Sequence, residues 1–201
     1  TQSLPYRGFE EGVKFPVETF VDNGGDCDDK SLFLYGLLAQ EGYNVSLLYF
    51  ETEHHLAVGV ASRTNTFQKS GYAFIETTSP SYIGMIPDRV EDGHVLSSSP
   101  LIIRFGGGTK MYESGGETEW IYTVMRNAEQ RIREKIPGLP LSRNKLFQMA
   151  TDGNLERRYL TFYGYDQEYP VFIKQVGIFT YILSHQFDRK GTVAWLAEKN
   201  L

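Results

Sequence analysis

The chain has 201 residues, 41% of them hydrophobic and 22% charged, and a formal net charge of −5. That is an ordinary globular composition, long enough for one good-sized domain or two small ones. The negative balance argues against a nucleic-acid partner, no apolar run approaches the roughly 20 residues that span a bilayer, and no signal-peptide pattern is present.

The sequence opens at Thr1 without Met and contains one cysteine, which excludes an internal disulfide. It reads as an excised or processed piece of a longer or anchored protein, and an extracytoplasmic setting is one expectation. Gln2 to Tyr6 suggests the last turn of a helix. Phe15 to Val21 predicts a short helix, with Pro16 suited to its first turn and Phe20 packing on the core.

The most informative stretch follows: Gly24-Gly25-Asp26-Cys27-Asp28-Asp29-Lys30-Ser31. The glycines permit a sharp turn, and Asp26 is a good N-cap type. A helix then runs from Cys27 to Glu41, with Gly42 as its C-cap glycine. Cys27, Ser31, Leu34 and Leu38 fall on one helical stripe, so the thiol points the way of the buried face. Unpaired N–H groups at a helix start favour thiolate, the nucleophilic form. The Asp28 and Asp29 carboxylates oppose this, so their side chains are expected to turn away into caps and solvent. The plainer alternative is that Cys27 is a small buried core residue.

Three strands follow, Asn44–Phe50, His55–Val60 and Gly71–Thr78, with a loop at Ser62–Ser70. Of the four histidines, His54, His55, His94 and His185, His55 opens the second strand. Glu76 lies at the end of the third. A hairpin between these strands would set imidazole and carboxylate side by side. Cys27 would then have a base in reach and a third group to orient that base.

Asp22, Asp26, Asp28 and Asp29 invite a metal reading, but they lack the EF-hand loop pattern and capping accounts for two of them. No cofactor is expected. Ile83 to Pro87 suggests an added sheet edge, and Leu101 to Phe105 another strand. Gly106-Gly107-Gly108 reads as a flexible loop, because no P-loop Lys-Ser/Thr pair follows. His94 reads as a surface residue. From Glu117 onward the pattern is helical: Glu117–Ile136, a second helix from Ser142 to about Ala150, an ambiguous Leu155–Tyr165, an apolar helix Pro170–Phe187 and a last short one, Thr192–Lys199. The apolar helix offers Val171, Ile178, Tyr181, Ile182 and Phe187 as core candidates. His185 reads as structural.

Several stretches together carry a resemblance. They are Gln2-Ser3-Leu4-Pro5-Tyr6, Phe15-Pro16-Val17-Glu18-Thr19, the Gly24–Ser31 stretch, Gly42-Tyr43-Asn44-Val45, His55-Leu56-Ala57-Val58-Gly59-Val60, and Ile75-Glu76-Thr77-Thr78 with Ile83-Gly84 and Ile86-Pro87. In order and spacing this set resembles the transglutaminase-like superfamily of papain-related cysteine enzymes, in its uncharacterised archaeal and bacterial form. The resemblance implies an α+β fold with a nucleophile helix packed on an antiparallel sheet. It places a catalytic core at residues 1–105, a Gly-rich linker at 106–116 and a helical C-terminal extension at 117–201. The family triad of Cys, His and Asp carries over to Cys27, His55 and Glu76, with Glu in place of the commoner Asp. A papain-type oxyanion glutamine would fall on Gln2, with the Cys27 backbone N–H as the other donor. Some members use calcium, which keeps that ion open.

The implied activity is acyl transfer through a thioester with a protein or peptide substrate. Hydrolysis of a peptide or isopeptide amide is favoured, water being the default acceptor. The alternatives are a crosslinking transglutaminase, with an amine as acceptor, or a non-catalytic binding module that keeps the fold.

Overall fold

A computed structural model of the chain describes residues 1–8, 12–79, 81–87, 89–90, 93–139, 155–185 and 188–201. The chain divides into two compact units, Thr1–Glu119 and Trp120–Leu201.

The first unit is a mixed α/β assembly. A short helix α1 (Pro16–Val21) precedes α2 (Cys27–Gln40). Four strands, β1 (Val45–Phe50), β2 (His55–Ala61), β3 (Tyr72–Ile75) and β4 (Leu101–Ile103), form an antiparallel sheet in the order β3-β2-β1-β4. α2 begins where the sequence predicts. The Asp26 carboxylate accepts from the N–H groups of Asp28 and Asp29, the work of an N-cap residue. The helix stops ahead of Gly42, whose φ of 84° is left-handed. Gly42 N–H bonds Ala39 and Tyr43 N–H bonds Leu38, which satisfies the last carbonyls in a Schellman arrangement.

Alternation along the strands sends Val45, Leu47, Leu56, Val58, Val60, Ala73 and Ile75 to the face that Tyr35, Leu34 and Leu38 of α2 cover. Leu48, Phe50, Ala57 and Phe74 go to the other face, where Phe67, Val90 and Leu96 close a second core. Each fully buried aliphatic or aromatic side chain contributes about 1.5–3 kcal/mol, so both faces of the β1–β2 pair are committed to core.

Several expectations change. Gln2 to Tyr6 is not helical: Tyr6 forms a bridge with Gly25. Ile83 to Pro87 is a turn rather than a strand, held by the Gly84 N–H on the Phe74 carbonyl, and β4 instead adds the edge beside β1. Phe20 is exposed, with its ring 6.0 Å from that of Phe33, while Thr19 is the buried residue of α1. Residues 106–116 belong to the first unit. The N–H groups of Thr109 and Lys110 both bond the Gly42 carbonyl, and Tyr112 N–H bonds Ala61.

In the second unit, α3 (Gly115–Lys135) continues from the first. Ile121, Val124, Met125, Ala128 and Ile132 lie buried at helical spacing. α4 (Leu155–Tyr163), α5 (Tyr169–Ser184) and α6 (Arg189–Glu198) follow. α5 buries Phe172, Val176, Ile178, Phe179 and Ile182, whereas Val171 is exposed and Tyr181 half-buried. The helix expected at Ser142–Ala150, and Phe187, lie outside the described residues. No helix among the described residues is long and apolar enough to cross a membrane.

Candidate active site

β3 leaves β2 after Ile75. Along β2, the N–H groups of alternate residues point to opposite neighbours. Ala61 bonds Asn44 on the β1 side, while Ser62 bonds Gly71 on the β3 side. The same alternation turns the N–H and carbonyl of Leu56 toward β3, beyond the point where β3 has departed. α2 takes its place. The Leu56 N–H is directed toward the Cys27 sulfur and lowers its pKa, and the Leu56 carbonyl accepts from the Ser31 hydroxyl at 2.9 Å. Cys27 and Ser31 are one helical turn apart and share a face, so one residue of β2 receives both. Ser31 also meets the Thr77 hydroxyl at 3.0 Å. The thiol is thereby fixed at the start of β2, beside the residue that follows His55.

His55 and Glu76 are both buried, and His55 Nε2 lies 3.4 Å from Glu76 Oε2. Neither atom has a directed hydrogen bond, so the contact is one of proximity. The register that pairs Val58 with Ile75 puts Glu76 opposite Ala57, diagonal to His55. Diagonal neighbours are about 7–8 Å apart, and the extra methylene of Glu spans that gap. The other oxygen, Oε1, accepts from Thr77 N–H at 2.9 Å, Thr78 N–H at 2.8 Å and the Thr78 hydroxyl at 2.7 Å. Burial pushes the Glu76 carboxyl up, but the His55 contact and the Thr78 bonds outweigh it and hold it below its ordinary value.

The Cys27 side chain is half-buried, and its S–H donates to Asp28 Oδ1 at 3.6 Å. Burial pushes the thiol up to about 12; the Leu56 N–H opposes the rise, and the charges of Asp28 and Asp26 add to it. Burial and the nearby Asp26 carboxylate also push Asp28 up. The expectation that both flanking carboxylates turn away therefore needs correction. Asp29 is buried in the cap, where it accepts from Lys14 N–H at 2.7 Å, but Asp28 faces the thiol.

Gln2 is bound into the same region. Its Nε2 donates to the Glu76 carbonyl at 2.8 Å and to the Ser81 carbonyl at 3.0 Å. Both amide hydrogens are engaged on the backbone around Glu76. The Asp26 cap bonds the N–H of Asp28 and Asp29 and leaves that of Cys27, an orphan donor of the first turn.

The remaining histidines lie elsewhere. His54 is exposed in the β1–β2 turn at a left-handed φ of 47°. His94 is exposed. His185 stacks on Tyr181 at 4.1 Å, and its Nδ1 meets the Tyr181 carbonyl. Among the described residues, no group of three His, Cys, Asp or Glu side chains could hold a metal ion. The roles of Lys30, Thr77 and Thr78 escaped the sequence reading. The role of Ser31 escaped it too, although a hydroxyl on an otherwise apolar stripe of α2 was a signal that could have found it.

No protein-family model matches the chain, and neither a curated protein nor a solved structure matches it significantly.

Proposed function

We propose that the protein is a cysteine-dependent acyl-transfer enzyme that hydrolyses a peptide or isopeptide amide, with Cys27 as nucleophile, His55 as base and Glu76 as the group that orients the base. The observation that carries this reading is the Glu76 carboxylate, buried, fixed through one oxygen and 3.4 Å from His55 Nε2 through the other. With Nε2 toward Glu76, Nδ1 is the ring nitrogen left to serve the thiol.

In the proposed reaction Nδ1 takes the S–H proton and the thiolate attacks the amide carbonyl carbon. The Cys27 backbone N–H holds the oxyanion, since both Gln2 amide hydrogens are engaged. Collapse breaks the C–N bond, and the imidazolium proton passes to the leaving amine. Water then attacks the thioester with His55 as base, which releases the acid and restores the thiol. An amine in place of water would give transamidation from the same thioester. In the resting site the S–H addresses Asp28, so rotation about the cysteine Cβ–Sγ bond turns its proton away from Asp28 before transfer. That same contact, with a thiol pushed up to about 12, favours a second reading, a non-catalytic binding module.

The rate of Cys27 alkylation by iodoacetamide against pH separates the two. In an enzyme, His55→Ala and Glu76→Gln suppress reaction near neutral pH while the protein stays folded. In a binding module the three profiles coincide. Peptide and isopeptide amides, offered with and without a primary amine, then distinguish hydrolysis from transamidation.

A further inference from the structure

We propose that Lys30 is a positioning residue of this site, a buried cation that clamps the turn from which Glu76 addresses His55. The inference rests on the catalytic reading above.

Lys30 lies on α2, three residues beyond the nucleophile, and is fully buried. Withdrawing an ammonium from water is costly unless its hydrogens are satisfied. Lys30 Nζ donates to the Leu4 carbonyl at 2.8 Å and to the Thr78 carbonyl at 3.3 Å. Those two acceptors belong to the two segments that hold Glu76. Thr78 supplies the N–H and hydroxyl on Oε1. Leu4 lies two residues after Gln2, whose amide grips the Glu76 and Ser81 carbonyls. A leucine or methionine could fill the space but could not join the segments. Lys30 also brings a buried positive charge to the turn that carries the Glu76 carboxylate.

His55 is faced by Glu76 from the turn after β3, by Asp28 from α2 and by Phe50 from β1. Only the first of these is held by Lys30. The effect of Lys30 on the thiol should therefore run through Glu76, and a double-mutant cycle reads that coupling directly.

The test measures iodoacetamide alkylation of Cys27 against pH in wild type, Lys30→Met, Lys30→Gln, Glu76→Gln and the Lys30→Met/Glu76→Gln double variant, with folding followed by circular dichroism. The expected result is a fall of about tenfold or more at neutral pH in folded Lys30→Met. In the Glu76→Gln background the same change should add less than about twofold. A profile unchanged by Lys30→Met, or effects that multiply in the double variant, overturns the proposal. So does failure of both Lys30 variants to fold, because the role of Lys30 would then be general to the fold. If His55→Ala and Glu76→Gln alkylate like wild type, the catalytic reading fails and this inference falls with it. If those two lose reactivity and folded Lys30→Met does not, Lys30 alone is misassigned.

Discussion

The Cys27 thiol donates its hydrogen to the carboxylate of the next residue, Asp28, across 3.6 Å. A carboxylate there stabilises S–H and repels S⁻, so it works against the nucleophile. Asp28→Asn should remove that repulsion while keeping an acceptor in place. We expect alkylation near neutral pH to rise about tenfold, the gain in thiolate for a pKa lower by one. An unchanged or slower rate would show that Asp28 does not restrain the thiol.

Glu76 serves His55 with one oxygen and Thr78 with the other. Glu76→Gln keeps the shape and loses the charge. Neutral-pH reactivity of Cys27 should fall roughly a hundredfold or more, equivalent to about 2.7 kcal/mol of barrier. Glu76→Asp keeps the charge but withdraws it by one methylene, so it cannot reach both partners. Its rate is expected between those of wild type and Glu76→Gln.

His54 and His55 are consecutive, but the first sits in the turn and the second in the strand. His54→Ala should leave the alkylation profile and the melting temperature close to wild type. His55→Ala should abolish the neutral-pH reactivity. The reverse pattern would assign the base to the wrong histidine.

Glu53 accepts hydrogen bonds from the hydroxyls and the N–H groups of Ser97 and Ser98. Led by the Ser98 hydroxyl, they lower its pKa from 4.5 to about 2. A pKa depressed in the folded state adds stability that is present above the unfolded value and lost as pH falls through the folded one. The contribution is therefore complete above pH 4.5 and disappears towards pH 2. Glu53→Gln should lower the melting temperature at neutral pH and make it less sensitive to acid in that window.

The helix caps and the first three strands were legible because local chemistry decides them. Asp26 has a carboxylate where orphan N–H groups lie, and Gly42 accepts a left-handed φ. The approach of Glu76 to His55 followed from the spacing of two strands in a hairpin. Other features needed the tertiary structure. A lysine in the first turn of a helix ordinarily reaches solvent, whereas Lys30 is buried with carbonyls from residues 4 and 78 converging on it. Asp28 could have joined the cap, but Asp26 and Asp29 already filled it. Gln2 to Tyr6 carries weak helical preference and is drawn instead into a bridge with Gly25. Phe20 reads as core by type, yet the interior site of α1 falls to Thr19.

The Leu56 amide has a further use. Its proton is directed toward the Cys27 sulfur, so its magnetic resonance reports the chemical state of that sulfur. Conversion of S–H to S⁻ should draw the amide into a stronger hydrogen bond and move its proton downfield. Alkylation should remove that acceptor, bring the signal back upfield and speed its exchange with deuterated solvent. One isotopically labelled leucine would then allow the thiol to be titrated in the intact protein, with neither a substrate nor a covalent probe.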